Sequence, residues 1–359
     1  MNNDGIALLI IGNGFDLNCK LNSKFSDFFE KRCVKIFDEF YHLLKMRNDP
    51  IAMQFYKNHN DIINFWSFIM YVQFYSSDDS YKNKNDFKKN WCDIEFLIKL
   101  VLLNDFFGNN SILKYFEIFL SFYNSTRPLY ELNNVIINPY IAYFWVTIDS
   151  EMNFYDYLLV ELHKFEISFK NYLIALINED YYKQSDKLVE RIISNNHKVI
   201  DVLNFNYTEI NDKPYINEQI NIHGKLFNDE IIIGIDSNEI NDDKLYKFTK
   251  TYRNMKRLRD VIKLSENIDY ICFYGHSLAD ADFSYFYSIF DMYDLYNGKL
   301  VLKFLYSDYE EDDATNEENH NEYVSRIYNL INRYSKFAHN ENNLLHRMLL
   351  EGRIIIEKL

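Results

Sequence analysis

The chain has 359 residues, of which 48% are hydrophobic and 18% aromatic. This length predicts about two domains, or one domain with a large insertion, and the composition is sufficient for a large core. The net charge of −14 argues against a protein that coats nucleic acid non-specifically, because such binding needs a basic surface.

The first predicted element is a strand that ends in a glycine turn. Residues 7–16 read Ala-Leu-Leu-Ile-Ile-Gly-Asn-Gly-Phe-Asp, an apolar run typical of a parallel strand buried on both faces. Gly12 and Gly14 let the backbone take positive φ and let a ligand approach the main chain closely. Leu17 stands where a dinucleotide fingerprint has its third glycine, so that fingerprint is incomplete. Asp16 either caps the following helix or belongs to a site.

Residues 17–197 have a mainly helical pattern without a second glycine-rich phosphate loop. Apolar side chains recur at helical spacing over about 25–47, 61–76, 84–107 and 151–178. Ser23 is the predicted N-cap of the first of these helices. Asp93 and Glu95 flank the apolar stripe of the third helix, where we expect a solvated face. Residues 108–150 lack a sustained period.

The pattern changes at Lys198, where β-branched runs begin. Further strands are predicted near 199–205, 220–222, 231–236, 268–274, 300–306 and 354–357. A basic amphipathic helix is predicted at about 243–264, an acidic loop from Asp308 to Glu318, and a helix near 321–337. Strands that alternate with helices predict a parallel sheet joined by crossovers.

The predicted fold is therefore α/β: a Rossmann-like, mostly parallel sheet with a large helical insertion after the first strand. Residues 1–16 and 198–359 form the predicted Rossmann-like core, and residues 17–197 form the predicted insertion domain. The first strand belongs to the same sheet as the strands after Lys198.

The cysteines and the N-terminus argue against other classes of protein. Cys19, Cys33, Cys92 and Cys272 form no Cys-x-x-Cys pair, and no histidine lies at metal-ligand spacing, so no metal site or disulfide framework is indicated. The N-terminal apolar run is too short to span a bilayer and follows no basic segment. We expect a cytoplasmic protein without metal and without a membrane partner.

Four polar clusters follow predicted strands. They are Gly12–Asp16, Asn204–Thr208, Ile222–Gly224, and Gly275–Leu278 with Asp280 and Asp282. The carboxyl ends of parallel strands meet at one edge of the sheet, where open α/β sheets bind ligands. We therefore expect one pocket faced by Asn13, Asp16, Asn206, His223, His276 and Asp282.

These clusters resemble motifs of the AbiH family, bacterial proteins of abortive infection by phage. The matching pieces are Ile11–Asp16, Ser26–Phe28, Trp91–Glu95, Phe205–Thr208, Ile222–Gly224, and Tyr274–Leu278 with Asp282. They span nearly the whole chain in the family's order. The stretch Lys20–Phe25 departs from the family's run, which weakens the case for a role of residues 20–25 at the site. The resemblance implies antiviral defence, with a second copy or another defence protein as partner.

The order of the motifs is also similar to that of sirtuin-like NAD-binding proteins of phage defence. This similarity implies a pocket for NAD or a related nucleotide, as ligand or substrate. Asn206 matches the pocket asparagine and His223 the catalytic histidine, while Thr208 stands where those proteins have Asp. The implied cofactor-binding residues are Gly12, Asn13, Gly14, Phe15, Tyr207, Gly224, Gly275, His276, Ser277 and Asp282.

These residue types suit hydrolysis of a nicotinamide–ribose bond, which passes through an oxocarbenium-like sugar. Asn206 can hold a water or a ribose hydroxyl, and a neutral His223 can take its proton. Asp16 or Asp282 can stabilise the sugar cation. The predicted catalytic residues are His223, Asn206 and Asp16, in a hydrolase similar to an NAD glycohydrolase. We expect His223 near the pocket rim, where truncation has little effect on stability.

Two alternatives belong to other functional classes. Gly275–Ala279 resembles the nucleophile elbow of α/β-hydrolases, which predicts a serine hydrolase that uses Ser277, with His320, His339 or His346 completing the triad. The other alternative is a non-catalytic nucleotide sensor or interaction module. In that case the basic run Lys247–Arg259, typical of a solvated helix face, supplies a few side chains to a phosphate at the rim.

Overall fold

The computed structural model of the chain describes residues 6–45, 49–74, 94–102, 154–193, 199–227, 230–237, 240, 245–257, 263–307, 313–338 and 343–359. Three features singled out from the sequence lie outside these residues: the motif residues Trp91–Asp93, the aperiodic stretch 108–150, and His339.

Among the described residues, six strands form one parallel sheet. They are β1 (Ile6–Ile11), β2 (Val199–Asn204), β3 (Ile216–Asn221), β4 (Ile268–Tyr274), β5 (Val301–Tyr306) and β6 (Ile354–Lys358). Their order is β3-β2-β1-β4-β5-β6, and each neighbouring pair is parallel. This is the strand order of the doubly wound Rossmann fold. The predicted α/β, Rossmann-like fold class is confirmed.

Strand β1 lies inside the sheet because both of its faces are apolar. Leu8 and Ile10 pack into the core on one side, whereas Ala7, Leu9 and Ile11 pack into the core on the other. This division follows from the alternation of side chains along a strand. The turn after β1 is consequently brought to the middle of the carboxyl edge of the sheet.

Helical elements, and no strand, occupy the described residues between β1 and β2. They are α1 (Asn13–Asn18), α2 (Phe25–Phe28), a π-helical segment (Phe29–Cys33), α3 (Val34–Lys45), α4 (Asp49–Asn58), α5 (Phe65–Phe74), α6 (Ile94–Leu102), α7 (Phe154–Leu176) and α8 (Glu179–Ile193). An aromatic core joins several of them, with Phe28 against Phe165 and Phe169. The division of the chain into two domains stays a prediction.

The other α-helices of the described residues lie after β3. They are α9 (Lys250–Arg257), α10 (Phe283–Met292), α11 (Asp313–Phe337) and α12 (Leu344–Leu350). The predicted helix at 243–264 is, within the described residues, a short 3₁₀ turn at Tyr246–Phe248 followed by α9.

The predicted strand over Ile231–Asp236 is wrong. Ile235 forms only an isolated bridge with Thr249, and the Ile233 N–H donates to the Glu166 carboxylate at 2.7 Å. Ile231, Ile233 and Ile235 are buried in the core of the helical segment rather than between strands. A short apolar run indicates burial, and periodicity alone does not say which partner supplies it.

Two helix starts also differ from prediction. Lys24, not Ser23, is the N-cap of α2, and the Ser23 hydroxyl instead donates to the Asn13 side-chain oxygen. The acidic stretch predicted as a loop to Glu318 becomes helical at Asp313. Acidic side chains are favourable in the first turns of a helix because of its dipole.

Candidate functional site

A cavity of about 1160 Å³ lies along the carboxyl ends of β1, β2, β4 and β5. Its opposite wall comes from helices α2, α6 and α7. The strand order reverses between β1 and β4, which is where the ligand crevice of a Rossmann fold lies. The lining includes all six residues expected to face one pocket: Asn13, Asp16, Asn206, His223, His276 and Asp282.

The floor of the cavity is formed by two turns in backbone contact, one after β1 and one after β4. The Gly14 N–H donates to the Gly275 carbonyl at 2.7 Å. A Cβ on Gly12 would lie 2.6 Å from the Cα of His276. Gly275 has φ +67°, whereas Gly12 and Gly14 are not among the positive-φ glycines. The freedom to take positive φ is therefore not used at Gly12 or Gly14. Close approach of the β4 turn is what requires Gly12.

Gly12→Ala is expected to destabilise the fold by about 1–3 kcal/mol, because two backbones must separate to admit the methyl group. Thermal melting measures this effect. Gly352→Ala is the comparison variant that separates steric contact from backbone strain. Gly352 has φ +65°, where alanine is strained by about 1–2 kcal/mol, but a Cβ there meets no atom within 4 Å. Equal melting temperatures for the Gly12→Ala variant and the parent would contradict the close contact.

Two predicted cofactor-binding residues, Phe15 and Gly224, are not among the residues that line the cavity. The Phe15 side chain is buried in the core and meets the Tyr274 ring edge-to-face at 6.3 Å. Gly224 has φ +94°, and a Cβ there would lie 1.9 Å from the Glu230 carbonyl oxygen. Gly224 is therefore required by the turn after β3, since only glycine can adopt this φ and leave room for the Glu230 carbonyl oxygen.

Asp16 is buried inside α1 and does not cap the helix. Its Oδ1 accepts hydrogen bonds from the Tyr181 hydroxyl at 2.8 Å and from the Thr208 hydroxyl at 2.9 Å. Burial raises the pKa of Asp16 to about 7, although both hydrogen bonds act to lower it. The carboxyl group is thus divided between its neutral and ionised forms near neutral pH.

Asp16→Asn is expected to remove a pH dependence of stability. The folded pKa lies above the unfolded value, so the folded state binds more protons between about pH 4 and pH 7, and stability falls as pH rises through that window. From pH 5 to pH 8 the loss is about 2–3 kcal/mol. The side-chain oxygen of the introduced asparagine can keep both hydrogen bonds. Urea unfolding at the two pH values measures the difference, and the same pH slope in parent and variant would contradict it.

A set of asparagines holds the ends of β1, β2 and β3 together. The Asn206 side-chain amide donates to the Gly12 carbonyl at 3.0 Å, and its backbone N–H donates to the Asn204 side chain at 2.8 Å. The Asn221 amide donates to the Asn206 carbonyl at 2.9 Å. Asn206 therefore lines the cavity while its amide nitrogen joins two strand ends.

Asp282 is the centre of a buried polar network. Its Oδ1 accepts hydrogen bonds from His223 Nε2 at 3.0 Å and from Lys250 Nζ at 2.8 Å. Its Oδ2 lies 3.3 Å from His276 Nε2. Burial acts to raise the pKa of Asp282, but the charge of Lys250 and the hydrogen bonds from His223 and His276 hold it well below its usual range. Asp282 is therefore an ionised acceptor for three donors.

The same contacts define the tautomers of both histidines. His276 Nδ1 accepts the Leu278 backbone N–H at 2.9 Å, so its proton lies on Nε2. His223 Nε2 faces an ionised carboxylate and must also carry the proton. This leaves His223 Nδ1 as a bare acceptor, and it has no hydrogen-bond partner among the described residues.

His223 is not a rim residue, contrary to prediction. It is 4% exposed, and its ring meets those of Phe205 at 5.4 Å and Tyr285 at 5.9 Å. Burial, together with the charge of Lys250, lowers the pKa of His223 to about 4. The imidazole is thus neutral at pH 7, and its truncation affects packing as well as chemistry.

Sequence reasoning missed two members of this network, Lys250 and Glu95, by assigning both to solvated helix faces. Lys250 is only 2% exposed and donates to Glu95 Oε2 and Asp282 Oδ1, each at 2.8 Å. Burial acts to lower the pKa of Lys250, but the two carboxylates raise it. The signal for Glu95 was present in the motif Trp91–Glu95.

The sequence matches the family described as bacteriophage abortive infection AbiH over residues 8–306. The chain belongs to the AbiH family. Membership implies a function in bacteriophage abortive infection. No curated protein and no solved structure matches the chain, and the similarity to sirtuin-like proteins is not confirmed.

The stretch that departs from the AbiH pattern, Lys20–Phe25, nevertheless reaches the cavity. Ser23, Lys24 and Phe25 line the cavity, and Ser23 holds the side chain of Asn13. Part of this stretch therefore lies at the cavity although its sequence departs from the family's run.

Ser277 lies at the cavity in a turn that differs from a nucleophile elbow. Positive φ occurs at Gly275 (67°) and Leu278 (53°) rather than at Ser277, and the next α-helix, α10, begins only at Phe283. The neighbouring His276 ring is held at both nitrogens, by Leu278 and Asp282. A nucleophilic serine needs a histidine that can take its proton.

A serine-reactive fluorophosphonate is therefore expected to leave Ser277 unlabelled. Mass spectrometry of the treated protein measures this, with a known serine hydrolase as positive control. Stoichiometric labelling at Ser277, lost in a Ser277→Ala variant, would instead support the hydrolase.

Two further features are absent from the described part of this AbiH chain. No cluster of three or more His, Cys, Asp or Glu side chains there is arranged to hold a metal ion. None of its described helices has the length and apolar character needed to cross a membrane.

Proposed function

We propose that this AbiH protein binds NAD or a related nucleotide in the cavity and hydrolyses its nicotinamide–ribose bond. The observation that supports this most is the position of the cavity, at the switch point of a β3-β2-β1-β4-β5-β6 sheet. A large cavity with a few convergent polar groups of altered pKa is typical of a binding site. Its volume of about 1160 Å³ is at the upper end of small-molecule pockets, which are about 300–1,000 Å³.

In the proposed reaction His223 is the general base. Asp282 orients the imidazole through Nε2, and the bare Nδ1 takes a proton from water. The water oxygen bonds to C1′ of the ribose as the bond from C1′ to the nicotinamide nitrogen breaks. The electron pair of that bond goes to the ring nitrogen, so nicotinamide leaves neutral. A positioned base typically contributes about 10²–10⁴ in rate.

Negative charge at the site would stabilise the sugar cation of this reaction. Asp282 is held ionised by its cationic partner Lys250, and Asp16 ionises near pH 7. Asn206, tied to the Gly12 carbonyl, is placed to orient a ribose hydroxyl or the attacking water. Fixed charges aimed at a developing charge are the largest catalytic term in many enzymes.

The decisive experiment incubates pure protein with NAD and measures free nicotinamide by chromatography, with NAD affinity measured by calorimetry. Binding with release supports the proposed reaction. Binding without release overturns hydrolysis and leaves a nucleotide site. If the protein neither binds NAD nor releases nicotinamide, the nucleotide proposal as a whole is overturned.

A second candidate, a nucleotide sensor without turnover, has its own support. The Nδ1 of His223 is buried, and the low pKa of the ring, about 4, makes it a weak base. A sensor would bind the nucleotide and change how the helical segment contacts a partner. In the experiment above it corresponds to binding without nicotinamide release.

A further inference from the structure

Glu95 belongs to a motif whose role the proposed reaction does not explain. We infer that Glu95 is a positioning residue, which acts on His223 through Lys250 and Asp282 by sharing the ammonium charge of Lys250. It does so from helix α6, on the wall of the cavity opposite the sheet.

The contacts form a continuous chain from helix α6 to the imidazole. Glu95 Oε2 accepts from Lys250 Nζ at 2.8 Å, Lys250 Nζ donates to Asp282 Oδ1 at 2.8 Å, and the same Oδ1 accepts from His223 Nε2 at 3.0 Å. Lys250 and Asp282 are both buried, so solvent screens these charges little. Glu95 and Lys250 are 155 residues apart in sequence, so the site is assembled from separate parts of the chain.

The effect of Glu95 follows from counting charges. One ammonium lies between two carboxylates, so Glu95 and Asp282 share the charge of Lys250. The charge of Lys250 lowers the pKa of His223, whereas that of Asp282 raises it. If Glu95 is made neutral, Lys250 acts on Asp282 alone. Asp282 then accepts the His223 Nε2–H more weakly, and the bare Nδ1 loses proton affinity.

The size of this effect can be estimated from Coulomb's law. A unit charge a few ångströms beyond Lys250, at an effective dielectric constant of about 20, changes a pKa by roughly one unit. Loss of the Glu95 charge therefore makes His223 a weaker base without removing any group that contacts its ring. The kinetic part of this inference rests on the proposed hydrolysis; the spectroscopic part does not.

The test is nuclear magnetic resonance on protein with ¹⁵N-labelled histidine at pH 7, in the parent and in Glu95→Gln. The His223 signals are assigned by their loss in His223→Gln. We expect a Nε2–H tautomer in the parent, with a low-field proton signal from the bond to Asp282, and an upfield movement of that signal in Glu95→Gln. An unchanged signal in Glu95→Gln overturns the inference.

Two control variants separate charge from packing. Glu161→Gln removes another buried carboxylate, one that does not line the cavity, and it is expected to leave the His223 signal in place. Glu95→Asp keeps the charge and is expected to return the signal toward its parent position. A signal that moves equally in Glu95→Asp and Glu95→Gln would assign the effect to the packing of α6 and overturn the inference.

The kinetic arm measures nicotinamide release in the same variants. A weaker base is expected to lower kcat about three- to tenfold in Glu95→Gln while KM stays the same. A rise in KM with kcat unchanged would overturn the kinetic role. If the parent releases no nicotinamide while the resonance still moves, the proposed hydrolysis fails and the coupling of Glu95 to His223 stands.

Discussion

Lys250→Met is expected to destabilise the fold by about 3–5 kcal/mol, because it leaves two carboxylates beside a buried methyl group in place of their shared cation. Lys250 Nζ lies 2.8 Å from both Glu95 and Asp282 and is only 2% exposed. Removing one member of a buried ion network destabilises by far more than the network contributes, since the remaining charges lose the cation that they share. Urea unfolding of the parent and the variant at pH 7.5 measures the loss.

Lys247→Met is the matched control for this prediction. Lys247 lies three residues earlier and pairs with Asp156 at 2.7 Å, but both side chains are substantially exposed. Surface ion pairs contribute little to stability, so the free energy of unfolding of this variant is expected to equal that of the parent. Equal stability of Lys250→Met and the parent would show that Asp282 and Glu95 are not both ionised in the folded protein.

The sequence predicts well those parts of the fold whose hydrophobic pattern lies within a single strand or helix. Ala7–Ile11 are apolar without interruption, and this requires a strand covered on both faces. Polar residues after that strand, and after β2 and β4, then meet at one edge because parallel strands end together. The shared cavity of Asp16, Asn206 and His276 follows from that geometry.

The parts that the sequence does not predict depend on contacts across long separations. Ile231–Asp236 has the composition of a strand, yet the Glu166 carboxylate, 67 residues away, takes the hydrogen bond of Ile233 that a neighbouring strand would take. Glu95 and Lys250 look like solvated residues because charge on an amphipathic helix usually faces water. Only the tertiary fold brings each charge to its partner.

His223→Gln is expected to reduce nicotinamide release by about 10²–10⁴ and to abolish phage protection, with the fold retained. Glutamine can still donate an amide hydrogen to Asp282, as Nε2 does at 3.0 Å, but it has no basic nitrogen in place of Nδ1. Alanine is a poorer choice. It would leave a cavity beside Phe205 and remove a donor from Asp282, and both changes lower stability.

Three measurements on one variant set decide between chemistry and structure: a melting curve, nicotinamide release, and plaque formation in cells that express each variant. His346→Gln, the same substitution at an exposed position on α12, controls for loss of a histidine as such. If the His223→Gln protein is folded but has lost both nicotinamide release and protection against phage, His223 is supported as a catalytic base in a reaction that stops phage. Full protection by a folded but inactive variant would contradict that role and favour the sensor, because binding would then suffice. The His223 ring is buried between Asp282 and Phe205. If His223→Gln has no folded state in the melting experiment, His223 is assigned a structural role in the core of the site and is removed from the proposed reaction.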